Sequence, residues 1–227
     1  MRLRERLLDL FFPPRCGVCG EVLASGEVFC PACREELLRT RTPRDLRGRG
    51  FRFSDCVFAA DYDDRTIPAI LNLKRIPESA EAEVFADMLA QALRERCPEG
   101  TFAAAVPVPI LAERRRRRGF NQAETLARAL CRRIGTPLRT DLLRAEDGAQ
   151  QHTLSYPQRL ANVRRIYRAA PGASADGRVL LIDDVFTTGA TLDRCAQLLR
   201  GIGAGEVVAA AAVSVPHRKE PSAPERS

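Results

Sequence analysis

Apolar and polar residues follow two different spacings along this chain, one typical of strands and one typical of helices. Four runs that are apolar almost throughout predict buried strands, at residues 56–62, 102–110, 178–184 and 206–215. Helical spacing of apolar residues covers 84–92, 123–134 and 192–199, and Gly201 and Gly203 follow the last of these. Strands without a polar face, separated by amphipathic helices, indicate a parallel sheet with helices on both faces. We therefore predict an α/β fold.

Segments outside this pattern suggest the domain organisation. Leu3, Leu7, Leu10 and Phe11 predict a short amphipathic helix at the start of an N-terminal unit, residues 1–45. A linker rich in Arg, Gly and Pro occupies residues 42–52, and the α/β domain is expected over residues 52–216. The polar residues 217–227 predict a disordered tail.

Composition narrows the class of protein. The chain has 227 residues, 45% of them hydrophobic, which is enough for one packed domain and a small accessory unit. Charged residues interrupt the apolar positions near the N-terminus, so we expect no export signal and no membrane span. The eight cysteines then belong in a reducing compartment, and we expect a cytoplasmic protein. The net charge of +7 favours an anionic partner without identifying it.

Four cysteines have the spacing of a metal site. Cys16 and Cys19 form one C-x2-C pair, and Cys30 and Cys33 form a second pair after ten intervening residues. Two such pairs place four thiolates around a tetrahedral Zn²⁺, and an all-sulfur site leaves no position open for catalysis. We predict a structural zinc ribbon, against the alternatives of a redox pair or unrelated buried thiols.

The stretch VLLIDDVFTTGATL, residues 179–192, combines two kinds of ligand-binding group. Asp183 and Asp184 end a predicted strand, where ligands of parallel sheets bind, and we expect their charge to be exposed to the crevice. Carboxylates accept hydrogen bonds from a vicinal diol or approach a cation. Thr187, Thr188, Gly189, Ala190 and Thr191 then open a helix, whose N-terminus attracts anions. These groups together predict a ribose 5-phosphate site; the alternative is an ordinary helix cap after a core strand.

Basic residues near this stretch are candidates for the same site. Lys74 and Lys219 are the only lysines of the chain, and Lys74 follows an apolar run inside the α/β domain. It is either a functional ammonium group or a surface lysine retained by chance. Five arginines run from Arg114 to Arg118, a pattern typical of a solvated face or a nucleic-acid contact. Because the run lies between a strand and a helix, we expect at least Arg118 to face the crevice and meet phosphate oxygens.

Taken together, these motifs resemble one known family. Residues 179–192 are similar to the phosphoribosyl diphosphate motif of type I phosphoribosyltransferases. RGFNQ at Arg118–Gln122, the Q-x-x-L-S motif that begins at Gln151, the four cysteines and Lys74 resemble the ComF family. The resemblance spans roughly residues 7–215, and it implies a type I phosphoribosyltransferase-like sheet preceded by a zinc ribbon. The uninterrupted run of five arginines departs from the pattern.

The resemblance also implies roles for individual residues. Asp183 and Asp184 would hold the ribose hydroxyls, residues 187–191 would hold the 5-phosphate, and Lys74 and Arg118 would act with Mg²⁺ on the diphosphate. The remaining expected substrate contacts are side chains near the two other motifs: Asn121, Gln122, Gln151, Arg159 and Asn162. The long polar stretch Arg139–Arg168 is expected to be either a lid over the donor or an excursion without contact to it.

Two classes of function follow from the resemblance. One is an enzyme that transfers phosphoribosyl from phosphoribosyl diphosphate to an acceptor that the sequence does not specify. The other is a non-catalytic sensor or DNA-uptake adaptor, which would meet single-stranded DNA or a competence helicase through its zinc ribbon and arginines. The family implies an association with competence in both cases, and no feature of the sequence decides between a monomer and an oligomer.

Overall fold

The computed structural model describes residues 13–24, 27–42, 46–98, 101–146 and 165–215. The predicted N-terminal helix and tail, together with Gln151, Arg159 and Asn162, lie outside these residues. Every helix that lies within them is too short or too polar to cross a lipid bilayer.

The centre of the molecule is a parallel sheet of four strands. They are β1 (Asp55–Asp61), β2 (Ala104–Pro107), β5 (Arg178–Phe186) and β6 (Glu206–Ser214), in the order β1-β6-β5-β2. The two central strands are buried along most of their length, which agrees with their apolar sequences. The predicted run 102–110 is too long, because β2 ends at Pro107 and a second proline, Pro109, follows without an N–H to pair.

Helices cover both faces of the sheet, as predicted. On one face lie α3 (Ala80–Arg96) and α5 (Gln122–Ile134), and on the other lies α6 (Ala190–Gly201). Two helices of seven residues were not predicted: α2 (Ile67–Leu73) ends just before Lys74, and α4 (Ala112–Arg118) contains the arginine run. Both α4 and α5 end at a glycine in the left-handed conformation, Gly119 and Gly135.

The face that carries α6 is completed by an irregular segment of turns and bends rather than by a second helix. Residues 46–54, which we call the strap, run from the N-terminal unit to β1. Leu46 and Phe53 are buried in the same core cluster as α6, and Phe51 stacks on Phe53 with ring centroids 4.6 Å apart. The predicted linker is therefore part of the packed domain.

The long polar stretch Arg139–Arg168 includes two short strands near its ends. Leu143–Ala145 form β3 and Tyr167–Ala169 form β4, and the two pair antiparallel. The prediction missed them because each strand has three residues, too few to show a period. This two-stranded ribbon brackets the undescribed residues 147–164.

The cysteine-containing unit shares its core with the α/β domain. Its helix α1 (Pro31–Thr40) contributes Leu37, which is 1% exposed, and Phe29 packs edge-on against Phe85 of α3 at 6.2 Å. Cys16, Leu23, Phe29, Cys30 and Leu37 belong to one continuous cluster with residues of α3, α5 and the sheet. The unit is thus anchored to the α/β domain by apolar burial.

Candidate functional site

The two acidic residues lie where β5 extends beyond β2. The last Cα pair between these strands is Pro107 with Ile182, so Asp183 and Asp184 follow the end of that pairing. The strand continues to Phe186 along β6, whereas we expected it to break at the carboxylates. The acids are therefore held by regular backbone at the carboxyl edge of the sheet, which is where ligands of parallel sheets bind.

Asp183 and Asp184 are linked by a local hydrogen bond, and each affects the pKa of the other. The Asp184 N–H donates to Asp183 Oδ1 at 2.9 Å. Burial, followed by the charge of Asp184, raises the pKa of Asp183 well above its usual value. Burial alone would also raise the pKa of Asp184, but the charge of Lys74 outweighs it and lowers that pKa. Protonation is therefore favoured on Asp183 over Asp184.

Lys74 is an ion-pair partner of the site. Its Nζ lies 3.1 Å from Asp184 Oδ2, and the lysine side chain is 29% exposed. The expectation that both carboxylates would be exposed is wrong for Asp184, which is buried. Its burial is tolerated because an opposite charge reaches it from the end of α2. The alternative of a surface lysine without a role does not fit this contact.

A basic concavity adjoins the ion pair. It has a volume of about 420 Å³, and it is lined by Leu71, Lys74, Arg75, Arg117 and Arg118. Arg118 is half-buried, and its Nη1 donates to Gln122 Oε1 at 2.9 Å, while Arg115 turns away to pair with Glu124 at 3.5 Å. Arg118 thus lines the concavity, and its contact with phosphate stays a prediction.

Asn121 and Gln122 begin α5 and use their amides differently. Asn121 is the N-cap: its Oδ1 accepts from Ala123 N–H at 3.1 Å, and its Nδ2 donates to the Val108 carbonyl at 3.0 Å. Gln122 Nε2 points to Asp184 Oδ1 at 3.5 Å. The structure therefore brings Gln122 to the acidic pair. The Asn121 side chain instead hydrogen-bonds to backbone groups, and its contact with substrate stays a prediction.

The threonine-rich turn leads from β5 into α6. Thr187 and Thr188 are exposed, and Thr188 Oγ1 accepts only a long contact of 3.4 Å from Ala190 N–H. Gly189 is the N-cap with φ 80°, and no side chain caps the helix, so N–H groups of its first turn have no partner within the helix. An ordinary helix cap would fill this place with a side-chain oxygen, so the geometry favours an anion site.

Two aromatic residues near the turn escaped the sequence prediction. Tyr167 of β4 packs against the core cluster that contains α6, its carbonyl accepts from Arg194 Nη2 at 3.5 Å, and burial raises the pKa of its phenol. Ring carbons of Phe51 in the strap and of Phe186 lie 3.0 Å from the position that a Cβ on Gly189 would take. Neither Tyr167 nor Phe51 stands in a recognisable motif, so only the fold reveals them.

The four predicted zinc ligands converge. The sulfur atoms of Cys16, Cys19, Cys30 and Cys33 all lie within 4.8 Å of one another. The Cys19 and Cys30 sulfurs are 3.8 Å apart, which matches the edge of a tetrahedron with Zn–S bonds of about 2.3 Å. Backbone N–H groups of Cys30 and Cys33 point to the sulfurs of Cys16 and Cys30 at 3.4 and 3.5 Å. These residues fit a structural zinc ion.

Comparison with known proteins agrees with this division of the chain. Residues 7–44 match the double zinc ribbon domain, and residues 80–225 match the phosphoribosyl transferase domain. The DNA utilization protein YhgH of Escherichia coli K12 is 30% identical over 201 residues, which cover 85% of this chain and 86% of that protein. Competence protein ComFC of Bacillus subtilis is 29% identical over 81% of this chain and 70% of its own.

This chain belongs to the ComF family. Within the family, competence protein F of Haemophilus influenzae is 36% identical over 107 residues, 46% of this chain and 47% of that protein. Among solved structures, adenine phosphoribosyltransferase of Saccharomyces cerevisiae aligns with 60% of this chain and 69% of its own at 13% identity, with a TM-score of 0.40. The ComF chain described here therefore has a type I phosphoribosyltransferase-like fold with an N-terminal zinc ribbon.

Proposed function

We propose that this ComF protein binds phosphoribosyl diphosphate together with Mg²⁺ and transfers the phosphoribosyl group to an acceptor. One observation carries the proposal: the carboxyl pair of Asp183 and Asp184 stands between the uncapped first turn of α6 and the cradle of Lys74 and Arg118. The carboxyl pair would accept hydrogen bonds from the ribose, the turn would bind the 5-phosphate, and the cationic concavity would bind the diphosphate.

Each part of the site would have a separate task. The carboxylates would accept hydrogen bonds from the ribose hydroxyls, and the turn at 187–191 would bind the 5-phosphate through backbone N–H groups. Lys74 and Arg118 would stabilise the charge that grows on the diphosphate as the bond from C1 breaks. The diphosphate leaves with the electron pair of that bond, and a new bond forms from C1 to the acceptor.

The donor atoms present fit Mg²⁺, which prefers oxygen ligands such as the carboxylates of Asp183 and Asp184. When bound with the donor, Mg²⁺ would neutralise charge on the diphosphate. Because the pKa of Asp183 is raised, a cation and a diol would have to displace its proton. Affinity for the donor is therefore expected to rise with pH as Asp183 ionises.

Titration calorimetry with phosphoribosyl diphosphate and Mg²⁺ tests the proposal. We expect saturable binding to the parent and none to the double variant Asp183→Asn/Asp184→Asn. Asp141→Asn removes a surface carboxylate paired with Arg139 and serves as the matched control, which should bind like the parent. Equal binding of the double variant and the parent would disprove the assignment. A diphosphate-release screen over bases and amines then identifies the acceptor.

A second function, a non-catalytic sensor or DNA-uptake adaptor, is favoured by a different observation. Arg114, Arg116 and Arg117 are exposed on α4, next to the basic concavity. Relatives are named for DNA utilization and for competence, so a cytoplasmic role in the handling of incoming DNA fits both functions. A competence helicase would then be a partner for the ribbon. Binding of the donor without diphosphate release under any acceptor would favour the sensor.

A further inference from the structure

The strap makes its closest contacts with α6 at the turn that is proposed to bind the 5-phosphate. Phe51 lies on Gly189, within 3.0 Å of the position of a Cβ, and it shares this contact with Phe186. One residue later, the Arg52 N–H donates to Asp193 Oδ1 at 2.6 Å. Both contacts fall on the first turn of α6, whose free N–H groups are the anion-binding element.

The rest of the strap is fixed to the rigid part of the domain. Ser54 N–H donates to the Val207 carbonyl at 2.8 Å, and Ser54 Oγ donates to Glu206 Oε1 at 2.6 Å. Arg200 near the end of α6 reaches back to the Arg52 carbonyl at 3.3 Å. Phe53 is buried beneath Phe51, so the stacked pair connects the turn to the core. The strap is therefore fixed to the domain at Phe53 and Ser54, while Phe51 contacts the turn at Gly189.

The position of Asp193 is informative because its charge is unfavourable for the proposed ligand. A carboxylate in the first turn of α6 repels a phosphate bound at the same helix N-terminus. The hydrogen bond that Asp193 accepts from the Arg52 N–H would offset this repulsion, because it holds the strap against α6. The hydrogen bond is short and charge-assisted, the kind that contributes most to local order.

We infer that Phe51 and the Arg52–Asp193 hydrogen bond are positioning elements of the phosphate turn, by which the segment between the zinc ribbon and the domain orders the donor site. The inference rests on the proposed function for its ligand. Phe51 does not touch the substrate in this role; it limits the movement of Gly189, so that the first N–H groups of α6 stay aligned. Pre-organised donors bind an anion more tightly than mobile ones.

The contrast between two substitutions of Asp193 tests the inference. Asp193→Asn removes the charge but keeps Oδ1 as an acceptor, whereas Asp193→Ala removes both. If only electrostatics mattered, both variants would bind phosphoribosyl diphosphate more tightly than the parent. The positioning role predicts that Asp193→Ala and Phe51→Ala each bind about tenfold more weakly, the scale of one lost interaction, while Asp193→Asn does not lose affinity. Asp141→Asn, which removes a surface carboxylate outside the strap, is the control and should bind like the parent.

A measurement without ligand separates this inference from the proposed function. Amide hydrogen exchange of residues 189–192 should be at least severalfold faster in Asp193→Ala than in Asp193→Asn. Equal exchange in the two variants, or binding of both alanine variants within twofold of the parent, would overturn the positioning role. A parent that binds no donor but shows the exchange contrast would disprove the proposed function alone. If Phe51→Ala does not fold, the Asp193 pair decides.

Discussion

Lys74 and Asp184, from the end of α2 and the open part of β5, form an ion pair of 3.1 Å at the edge of the sheet. The aspartate is buried and the lysine is partly exposed, so the pair joins the interior to the basic concavity. Gln122 also points to Asp184 and in turn accepts from Arg118. Contacts of one carboxylate therefore link the ends of α2 and α4 with the start of α5.

Loss of the lysine is expected to cost stability as well as function. Lys74→Met leaves a buried carboxylate without its cation. Such a loss costs about 3–5 kcal/mol in a fully buried pair, and less is expected here because the lysine side chain is 29% exposed. Urea denaturation at pH 7 measures the free energy of unfolding, with Arg75→Met as a control beside it in the same concavity. Equal stability of Lys74→Met and the parent would contradict the role of this pair.

The two neighbouring aspartates should respond oppositely to neutralisation. The pKa of Asp183 is raised in the folded state, so its ionisation opposes folding, and stability falls as pH rises from its unfolded pKa through its folded pKa. Asp183→Asn should therefore be at least as stable as the parent at pH 7. Its stability should also depend less on pH.

The pKa of Asp184 is lowered instead, so its charge contributes stability above the unfolded pKa that is lost as pH falls. Asp184→Asn is accordingly expected to destabilise the protein at pH 7. Thermal unfolding of both variants from pH 4 to 8 checks the two signs, and the same sign for both would contradict the assignment of the proton to Asp183.

Gly189 should not tolerate a side chain. Alanine there meets strain from a φ of 80°, about 1–2 kcal/mol, and also the rings of Phe51 and Phe186. Gly135→Ala is a matched control, because Gly135 has a φ of 66° and open space around its Cβ position. Denaturation should find Gly189→Ala the less stable of the two, and donor binding should be lost only in Gly189→Ala. Equal losses would exclude the contact with the rings as the cause.

Zinc removal should destabilise the whole chain. Cys16 and Cys30 belong to the same core cluster as Phe85, so loss of the metal site would loosen packing on α3. We expect one zinc per chain by metal analysis, and a chelator or Cys30→Ser should lower the midpoint of the main thermal transition. Cys97→Ser, outside the cluster of four sulfurs, should keep its zinc. If the chelator left the midpoint of the main thermal transition unchanged, the zinc ribbon would unfold independently of the α/β domain, and this prediction would be wrong.

The sheet and the zinc ligands could be predicted from the sequence because their signals are local. Val179–Ile182 are apolar on both faces of the strand, and each C-x2-C pair is recognisable from four consecutive residues. The burial of Asp184 could not be predicted, because it depends on a lysine that is distant in sequence. The strap was equally hidden: Leu46, Phe51 and Phe53 are isolated apolar residues among Arg and Gly, and they show no period.

The candidate site residues divide in the same way. The turn at 187–191 and Arg118 were recognisable from their motifs, and Gln122 was expected in the site for the same reason. Tyr167 was not, since a three-residue strand leaves no pattern. Its place against α6 follows only from the antiparallel pairing of β3 with β4.

Residues 45–79 fall between the two matched family domains, yet they contribute β1, the outer neighbour of β6. A shortened protein that begins at residue 80 would leave β6 unpaired on that side, with the run Val207–Val213 open to other chains. Bare apolar edges recruit further strands, so such a fragment should aggregate rather than stay monodisperse. Expression of the phosphoribosyltransferase-like half for screening should therefore begin upstream of the strap.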